Sequence, residues 1–312
     1  MRIGTWNLEN LFHPDVASGA PSGMEEYDAK LDALAATIKD LDPSVLAVQE
    51  VGDPEALADL VGRLGGAWHT ELAEPDGRGI RNGIIATAAL SDVEQFADFP
   101  DILAPIQVQD DGTTIDAVGR PGLRARVKIG KVEVDVVSVH LKSKLLSFPG
   151  GRFNSKDEGE RARYGVYALA RRAAEAAAVR AGVDRLLDGD GEKRAVVIAG
   201  DLNDEPQAAT TQILLGPGGS EIGTPGYDRP DKGDAMRLWN VAPLIPEEER
   251  FSRIYRGRRE LIDHLMVSRA LTGRIKGVTT GSVKIASVTD DPRARKDAAG
   301  SDHRPVVATF DI

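Results

Sequence analysis

Six short stretches of the chain carry, at the ends of apolar runs or just beside them, the side chains that hold metals and move protons. They are Asn7 and Glu9 in GTWNLEN, Glu50 in VLAVQE, His140 in VDVVSVHLKSK, Asp201 and Asn203 in AVVIAGDLND, Asp263 in LIDHLMVS, and Asp302 and His303 in SDHRP. An apolar, β-branched run reads as a buried strand. A polar residue just past such a strand sits at the rim of a sheet, where functional loops gather. If these endings converge on one rim, they make a site for a hard divalent metal and a phosphate.

The residue types divide the work. Residues two apart at a strand exit point the same way, so Asp201 and Asn203 can address one ligand together. A carboxylate there can orient or deprotonate a water, and an amide can hold a phosphoryl oxygen. GDLND on its own equally fits an Asx turn; its companions decide for chemistry. Glu50 has the oxygen donor that Mg²⁺ favours. Asn7 and Glu9 flank Leu8, so both can face a site while Leu8 faces the core, and spacing leaves Glu9 and Glu50 unranked as metal ligands. His303 follows Asp302 and has Asp263 available to orient its ring, an arrangement that raises an imidazole pKa and keeps it protonated against a phosphate. His140 is trailed by Lys142 and Lys144, a donor and two cations suited to phosphate oxygens. His264, beside Asp263, is open between packing under the site and joining it, while His13 and His69 read as structural.

Two further tracts carry cations. DGRGIRNG places Arg78 and Arg81 in a glycine-rich loop before a strand, a phosphate clamp or a solvated turn. KSKLLSFPGGRFNSKDEG interleaves Lys142, Lys144, Arg152 and Lys156 with Phe148 and Phe153, a pattern that can hold a backbone and stack bases but that fits a flexible solvated loop slightly better residue by residue.

The elements that must position these groups are mixed in order. Strands are expected at 2–6, 45–48, 82–88, 93–96, 102–108, 123–129, 132–139, 195–199, 251–255, 261–267, 281–286 and 306–310, with Gly130-Lys131 as a hairpin turn. Helices are expected at 25–40, at 54–64 with Asp53 as N-cap and Pro54 in the first turn, at 160–187, and near 207–214. The pattern predicts an α/β sandwich, two sheets face to face with helices outside, in one domain over residues 1–312.

Composition narrows the classes. With 41% hydrophobic residues the chain can bury a substantial core. No run of eighteen apolar residues exists, and MRIGTWNLEN lacks the order of a signal peptide, so a cytoplasmic protein with no membrane association is expected. The absence of cysteine excludes disulfides and thiolate–zinc sites. The 39 basic and 49 acidic residues give a net charge of −10, which argues against a broad basic surface for nucleic acid but not against a local one. A serine hydrolase built on Ser301, Asp302 and His303 is disfavoured, because neighbours in extended chain point opposite ways. A silent binding module is disfavoured because every polar position is filled.

Together TWNLEN, VQE, DGRGI, HLKSK, GDLND and SDHRPV, in this order over the whole chain, resemble the endonuclease/exonuclease/phosphatase superfamily, with HLKSK and DGRGI most like its bacterial nuclease-like branches. The resemblance implies the four-layered, deoxyribonuclease-I-like α/β sandwich with two mostly antiparallel sheets. It implies Glu50 as the principal Mg²⁺ (or Mn²⁺) ligand, with Asn7 or Glu9 nearby and Asp302 near the metal. Asp201 would position the attacking water, Asn203 and His140 would hold phosphoryl oxygens, and Asp263 would orient His303 toward the scissile phosphate. The expected activity is hydrolysis of DNA or RNA phosphodiesters by a monomer without a protein partner; a phosphomonoesterase or lipid-head-group phosphodiesterase is the alternative on the same site.

Overall fold

The computed structural model describes residues 1–289, 291 and 294–312. The first half of the chain contains β1 (Arg2–Leu11), α1 (Met24–Leu41), β2 (Val45–Val51), α2 (Pro54–Leu64), β3 (His69–Leu72), β4 (Arg81–Ala86), β5 (Leu90–Asp98), β6 (Ile106–Gln107), β7 (Thr114–Ile115), β8 (Ala117–Ile129) and β9 (Val132–His140). The second half contains α3 (Glu158–Leu187), β10 (Ala195–Asp201), α4 (Ala209–Leu215), β11 (Leu238–Asn240), β12 (Arg253–Tyr255), β13 (Arg258–Glu260), β14 (Asp263–Ser268), α5 (Arg269–Thr272), β15 (Ile275–Thr279) and β16 (Val306–Phe310).

Two six-stranded sheets form, in the orders β15-β16-β1-β2-β4-β3 and β11-β14-β10-β9-β8-β5. Each has one parallel pair, β1 with β2 and β9 with β10, among antiparallel neighbours. Both faces of the central strands are apolar because both are covered. In β2, Val45 and Ala47 point between the sheets while Leu46 and Val48 point out against α1 and α2. In β10, Val197 and Ala199 point inward while Val196 and Ile198 meet α3 and α4. The layers are therefore helix, sheet, sheet, helix, as expected. Each such Val or Leu contributes about 1.5–3 kcal/mol by leaving water.

Polar struts cross the inter-sheet layer near the site. The Gln49 amide donates to Ser138 Oγ at 3.2 Å, and the Thr5 hydroxyl donates to Gln49 Oε1 at 3.1 Å. These bonds fix β1 and β2 against β9, so strand ends from both sheets hold a set distance.

Some expectations fail for identifiable reasons. No strand runs through 102–108: Pro100 leads into a 3-10 turn, and Pro105, without an N–H for a ladder, leaves only the two-residue β6. No strand forms at 281–286, where Gly281 turns with φ 67°. Asp53 precedes α2 but makes no capping bond; its carboxylate instead accepts the His13 N–H at 2.8 Å. The short strands β11, β13 and β15 lie in tracts too brief or too charged to show a period. Among the described residues no helix is long and apolar enough to cross a membrane.

Candidate active site

Three neighbouring strands of the second sheet deliver three site residues in one row. Asp201 of β10 pairs in register with His140 of β9 on one side and Asp263 of β14 on the other. All three are buried. His140 Nε2 lies 3.5 Å from Asp201 Oδ2. The row continues to His303, whose Nδ1 is 2.7 Å from Asp263 Oδ2 and whose Nε2 is 4.0 Å from Asp201 Oδ2.

The first sheet supplies the opposite wall through backbone distortion. The register of β1 against β2 slips between Asn7 and Leu11, and that of β2 against β4 slips between Val48 and Val51. Such bulges re-aim side chains at a sheet rim. Glu9, Asn10 and Glu50 there, and Asn203 beyond β10, all take left-handed backbone, with φ of 51°, 53°, 60° and 53°. For a glutamate that conformation costs on the order of 1 kcal/mol or more, and it persists only where the surrounding structure fixes it. The Asn7 amide nitrogen donates to Glu50 Oε1 at 3.2 Å and to Asp201 Oδ2 at 3.1 Å, joining the two walls. Its oxygen accepts the Glu9 N–H at 2.9 Å, so Asn7 offers the site a donor. Glu50 Oε2 accepts the Asn10 N–H at 3.0 Å. Asp201 Oδ1 accepts the Asn203 N–H at 2.8 Å, and the Asn203 side chain donates to the Leu141 carbonyl at 3.0 Å.

The C-terminal SDHRP turn is anchored rather than reactive at its serine. Ser301 Oγ donates to the Asn7 carbonyl at 2.6 Å and accepts the His303 N–H at 3.0 Å, while Trp6 Nε1 donates to the His303 carbonyl at 2.9 Å. Ser301 is a strut, which removes the serine-hydrolase reading.

The charges explain the pKa shifts. Burial alone would lower the His303 imidazole, but Asp263 and Asp302, with Asp201, raise it to about 10. Burial and the Asp263 charge push Asp201 up to about 7. Burial holds His140 far down, helped by the nearby Arg120, so it is neutral. Its Nδ1 and Asp263 Oδ1 are buried and have no hydrogen-bond partner among the described residues. One ligand atom each of Asp201, Asp263 and His303 falls within 4.8 Å of the others, a group that could hold a metal ion. A protonated His303 has no lone pair to give, however, so the carboxylate oxygens are the better donors of this cleft.

A family model described as "Endonuclease/Exonuclease/phosphatase family" matches residues 4–303. The chain belongs to that family. Solved structures agree on the fold. Truncated TDP2 of Caenorhabditis elegans is similar at TM-score 0.57 and 15% identity, covering 100% of this chain and 97% of that one. A 3'-5' exonuclease of Neisseria meningitidis matches at 0.54 and 19%, and a mannosyl-6-phosphatase of Bacteroides thetaiotaomicron at 0.57 and 14%, each with 100% of both chains covered. No match was found among curated proteins.

In this endonuclease/exonuclease/phosphatase family member, the cleft encloses about 330 Å³ and is lined by Glu9, Glu50, His140, Asp201, Asn203, Asp302 and His303, with Arg78 and Lys144 at its edge. Not every expected residue meets it in the same way. Glu9 Oε1 and Oε2 are taken by Arg295 at 2.9 and 3.1 Å, and the Asp302 N–H adds a third bond at 2.8 Å, so this carboxylate braces the C-terminal turn. Arg81 turns to the Gly52 and Gly79 carbonyls, and Lys142 Nζ to the Ser143 and Leu145 carbonyls at 3.0 and 2.7 Å; neither lines the cleft. Arg78 donates to Asn10 Oδ1 at 3.0 Å, and Lys144 lies 3.2 Å from Asp204 Oδ1. His264 packs below: one ring nitrogen meets the Asp204 carbonyl at 2.9 Å and the other Asn240 at 3.1 Å. His13 pairs with Asp59 at 3.2 Å, and His69 is exposed on β3.

Sequence reading missed Arg120, whose guanidinium reaches the His140 and Leu141 carbonyls at 3.2 and 3.0 Å and Asp76 at 3.1 Å. It also missed Arg253, Tyr255 and Arg258 of the β12–β13 hairpin and Arg295, all on the cleft wall. The signal was present in RIYRGRRE, a basic run split by one glycine.

Proposed function

We propose that this family member is a divalent-metal-dependent phosphodiesterase that hydrolyses DNA or RNA by in-line attack of water. The observation that carries the reading is the in-register row His140–Asp201–Asp263, closed by His303 and faced by Glu50 across the Asn7 bridge. The cleft fits a hard cation: its lining brings together the carboxylates of Glu9, Glu50, Asp201 and Asp302, and burial with the Asp302 charge raises Glu9. Glu50 and Asp302 are the residues that would hold Mg²⁺ or Mn²⁺. Such an ion supplies charge neutralisation at the phosphate and at the leaving oxygen.

The chain's own groups do the rest. Asp201, held by Asn7 and the Asn203 N–H, positions the water and takes its proton, for which a pKa near 7 is suited. Protonated His303, oriented by Asp263, faces the phosphoryl oxygens with its Nε2–H and stabilises their growing charge. Neutral His140 and the Asn203 amide complete the donor set. Asn7 orients Glu50 and Asp201, and Glu9 braces Asp302 by accepting its N–H.

A polymer is favoured over a small monoester by the rim. The lining holds six cations (Arg78, Arg120, Lys144, Arg253, Arg258, Arg295) against six acids (Glu9, Glu50, Asp201, Glu260, Asp291, Asp302) in a chain of net charge −10. The lining is thus balanced where the chain as a whole is acidic, and its cations, with Tyr255 among the arginines, are spread over more of the wall than one phosphate needs. The test is a substrate panel: supercoiled plasmid, single-stranded DNA, RNA and sugar phosphates, each with Mg²⁺, Mn²⁺ or EDTA. Metal-dependent cleavage of a polymer is expected. Release of phosphate from the sugar phosphates alone would replace this reading with a phosphomonoesterase.

A further inference from the structure

A second cavity of about 330 Å³ shares no lining residue with the candidate active site, and the chain from Arg258 to Ile262 contributes to both. Alternation along the chain sets this up. Arg258, Glu260 and Ile262 face the cleft, while Arg259 and Leu261 face the second cavity.

Arg237, on the wall of this second cavity, is 4% exposed. Burying a guanidinium is costly without a carboxylate, and arginines in protein interiors are normally paired. Among the described residues none pairs with it: Nη1 donates to the Pro217 carbonyl at 3.3 Å, and Nε has no partner. Glu221, Asp231 and Asp234 act on it only through space, and burial lowers its pKa. Two more arginines, both exposed, reach the same cavity, and neither has an ion pair among the described residues. Arg250 donates to the Ile245 and Pro243 carbonyls, and Arg259 donates to the Glu248 carbonyl while stacking 4.4 Å from the Phe251 ring. Three guanidinium charges thus face two lining acids, Glu205 and Glu221. The remaining wall is largely apolar, with Leu215, Pro243 and Leu261 around Trp239, whose ring lies 5.5 Å from the Arg237 guanidinium.

We infer that this cavity is a binding site for a small organic anion, with its acidic head on Arg237 and its apolar body against Leu215, Pro243 and Leu261. The charge supplies the head group's partner, and the hydrophobic wall supplies affinity for the body. The inference does not rest on phosphoester hydrolysis. It has a route to the active site nonetheless: Asn240 on the cavity wall meets His264, which holds the Asp204 carbonyl of the loop following Asp201 and Asn203.

The experiment titrates phenylphosphonate and inorganic phosphate into the whole protein in EDTA at fixed ionic strength, reading tryptophan fluorescence and calorimetric heat. Saturable binding is expected in the wild type and in His303→Ala, with phenylphosphonate tighter than phosphate. Arg237→Gln is expected to weaken it at least tenfold, and Trp239→Phe to silence the fluorescence change while heat remains. Gln212→Trp, which fills the cavity and leaves the guanidinium in place, should abolish binding and serves if Arg237→Gln does not fold. No saturable binding, equal affinity in folded Arg237→Gln or Gln212→Trp, or loss in His303→Ala would overturn the assignment. Equal affinity for the two probes would overturn the apolar-body half of it.

Discussion

Asp263 and His303, forty residues apart, are joined by a 2.7 Å contact in which the imidazole Nδ1–H donates to a fully buried carboxylate. Everything proposed for His303 depends on that contact. The carboxylate accepts the Nδ1–H, aims Nε2–H at the cleft and supplies the leading charge that keeps the ring protonated. Asp263→Asn keeps the shape and removes the charge. It is expected to lower turnover about 10²–10⁴-fold, the range for a positioned acid–base group, with little change in substrate KM. Steady-state kinetics on a cleaved substrate measure this; an unchanged kcat would separate Asp263 from the chemistry.

The same pair predicts how stability follows pH. The folded pKa of His303 is raised to about 10, above that of an unfolded histidine. Its stabilising contribution is fully present below the unfolded value, about 6.5, and is lost as pH rises through about 10. Urea midpoints measured from pH 6 to 10 should therefore fall more steeply for the wild type than for His303→Ala. Parallel slopes would mean the imidazole is not held as a cation.

Glu50→Gln removes one charge from a half-buried side chain that accepts hydrogen bonds from Asn7 and the Asn10 N–H. The fold should tolerate it, since the amide oxygen still accepts one of the two bonds and only the other is lost at a half-buried position. Affinity for Mn²⁺, read by calorimetry or by electron paramagnetic resonance of the free ion, should drop by about tenfold or more. Retained affinity would move the ion toward Asp201, Asp263 and His303.

Much of this architecture was readable because its period is simple. Runs such as VLAVQE and AVVIAGD are apolar on both faces, which only a strand between two layers requires, and each ends in the residue the cleft uses. The register that lines up His140, Asp201 and Asp263 was not readable, since strand pairing is set by contacts distant in sequence. Nor were the partners that redirect side chains: Arg295 taking Glu9, and backbone carbonyls taking Arg81 and Lys142, are long-range or conformational facts with no local pattern. The strand expected at 102–108 failed where a proline interrupts the apolar run, and the one expected at 281–286 begins on a left-handed glycine. Arg120 was invisible because a single arginine inside a strand looks like any solvated charge.

A control for the whole account sits away from the cleft. Asp135 is buried, bonded to Arg124 Nε at 2.8 Å and to Arg126 at 3.2 and 3.1 Å. Asp135→Ala strands the buried Arg124 charge and should cost about 3–5 kcal/mol of unfolding free energy. Activity per folded molecule should be unchanged, as judged by chemical denaturation alongside an active-fraction assay.

The most direct test of the central claim is nicking of supercoiled plasmid by the wild type and by His303→Ala, in Mg²⁺ or Mn²⁺ and in EDTA, with melting curves for both proteins. The account predicts metal-dependent nicking by the wild type, none in EDTA, and a loss of orders of magnitude in the folded variant. Nicking that persists in folded His303→Ala, or that proceeds in EDTA, would contradict it.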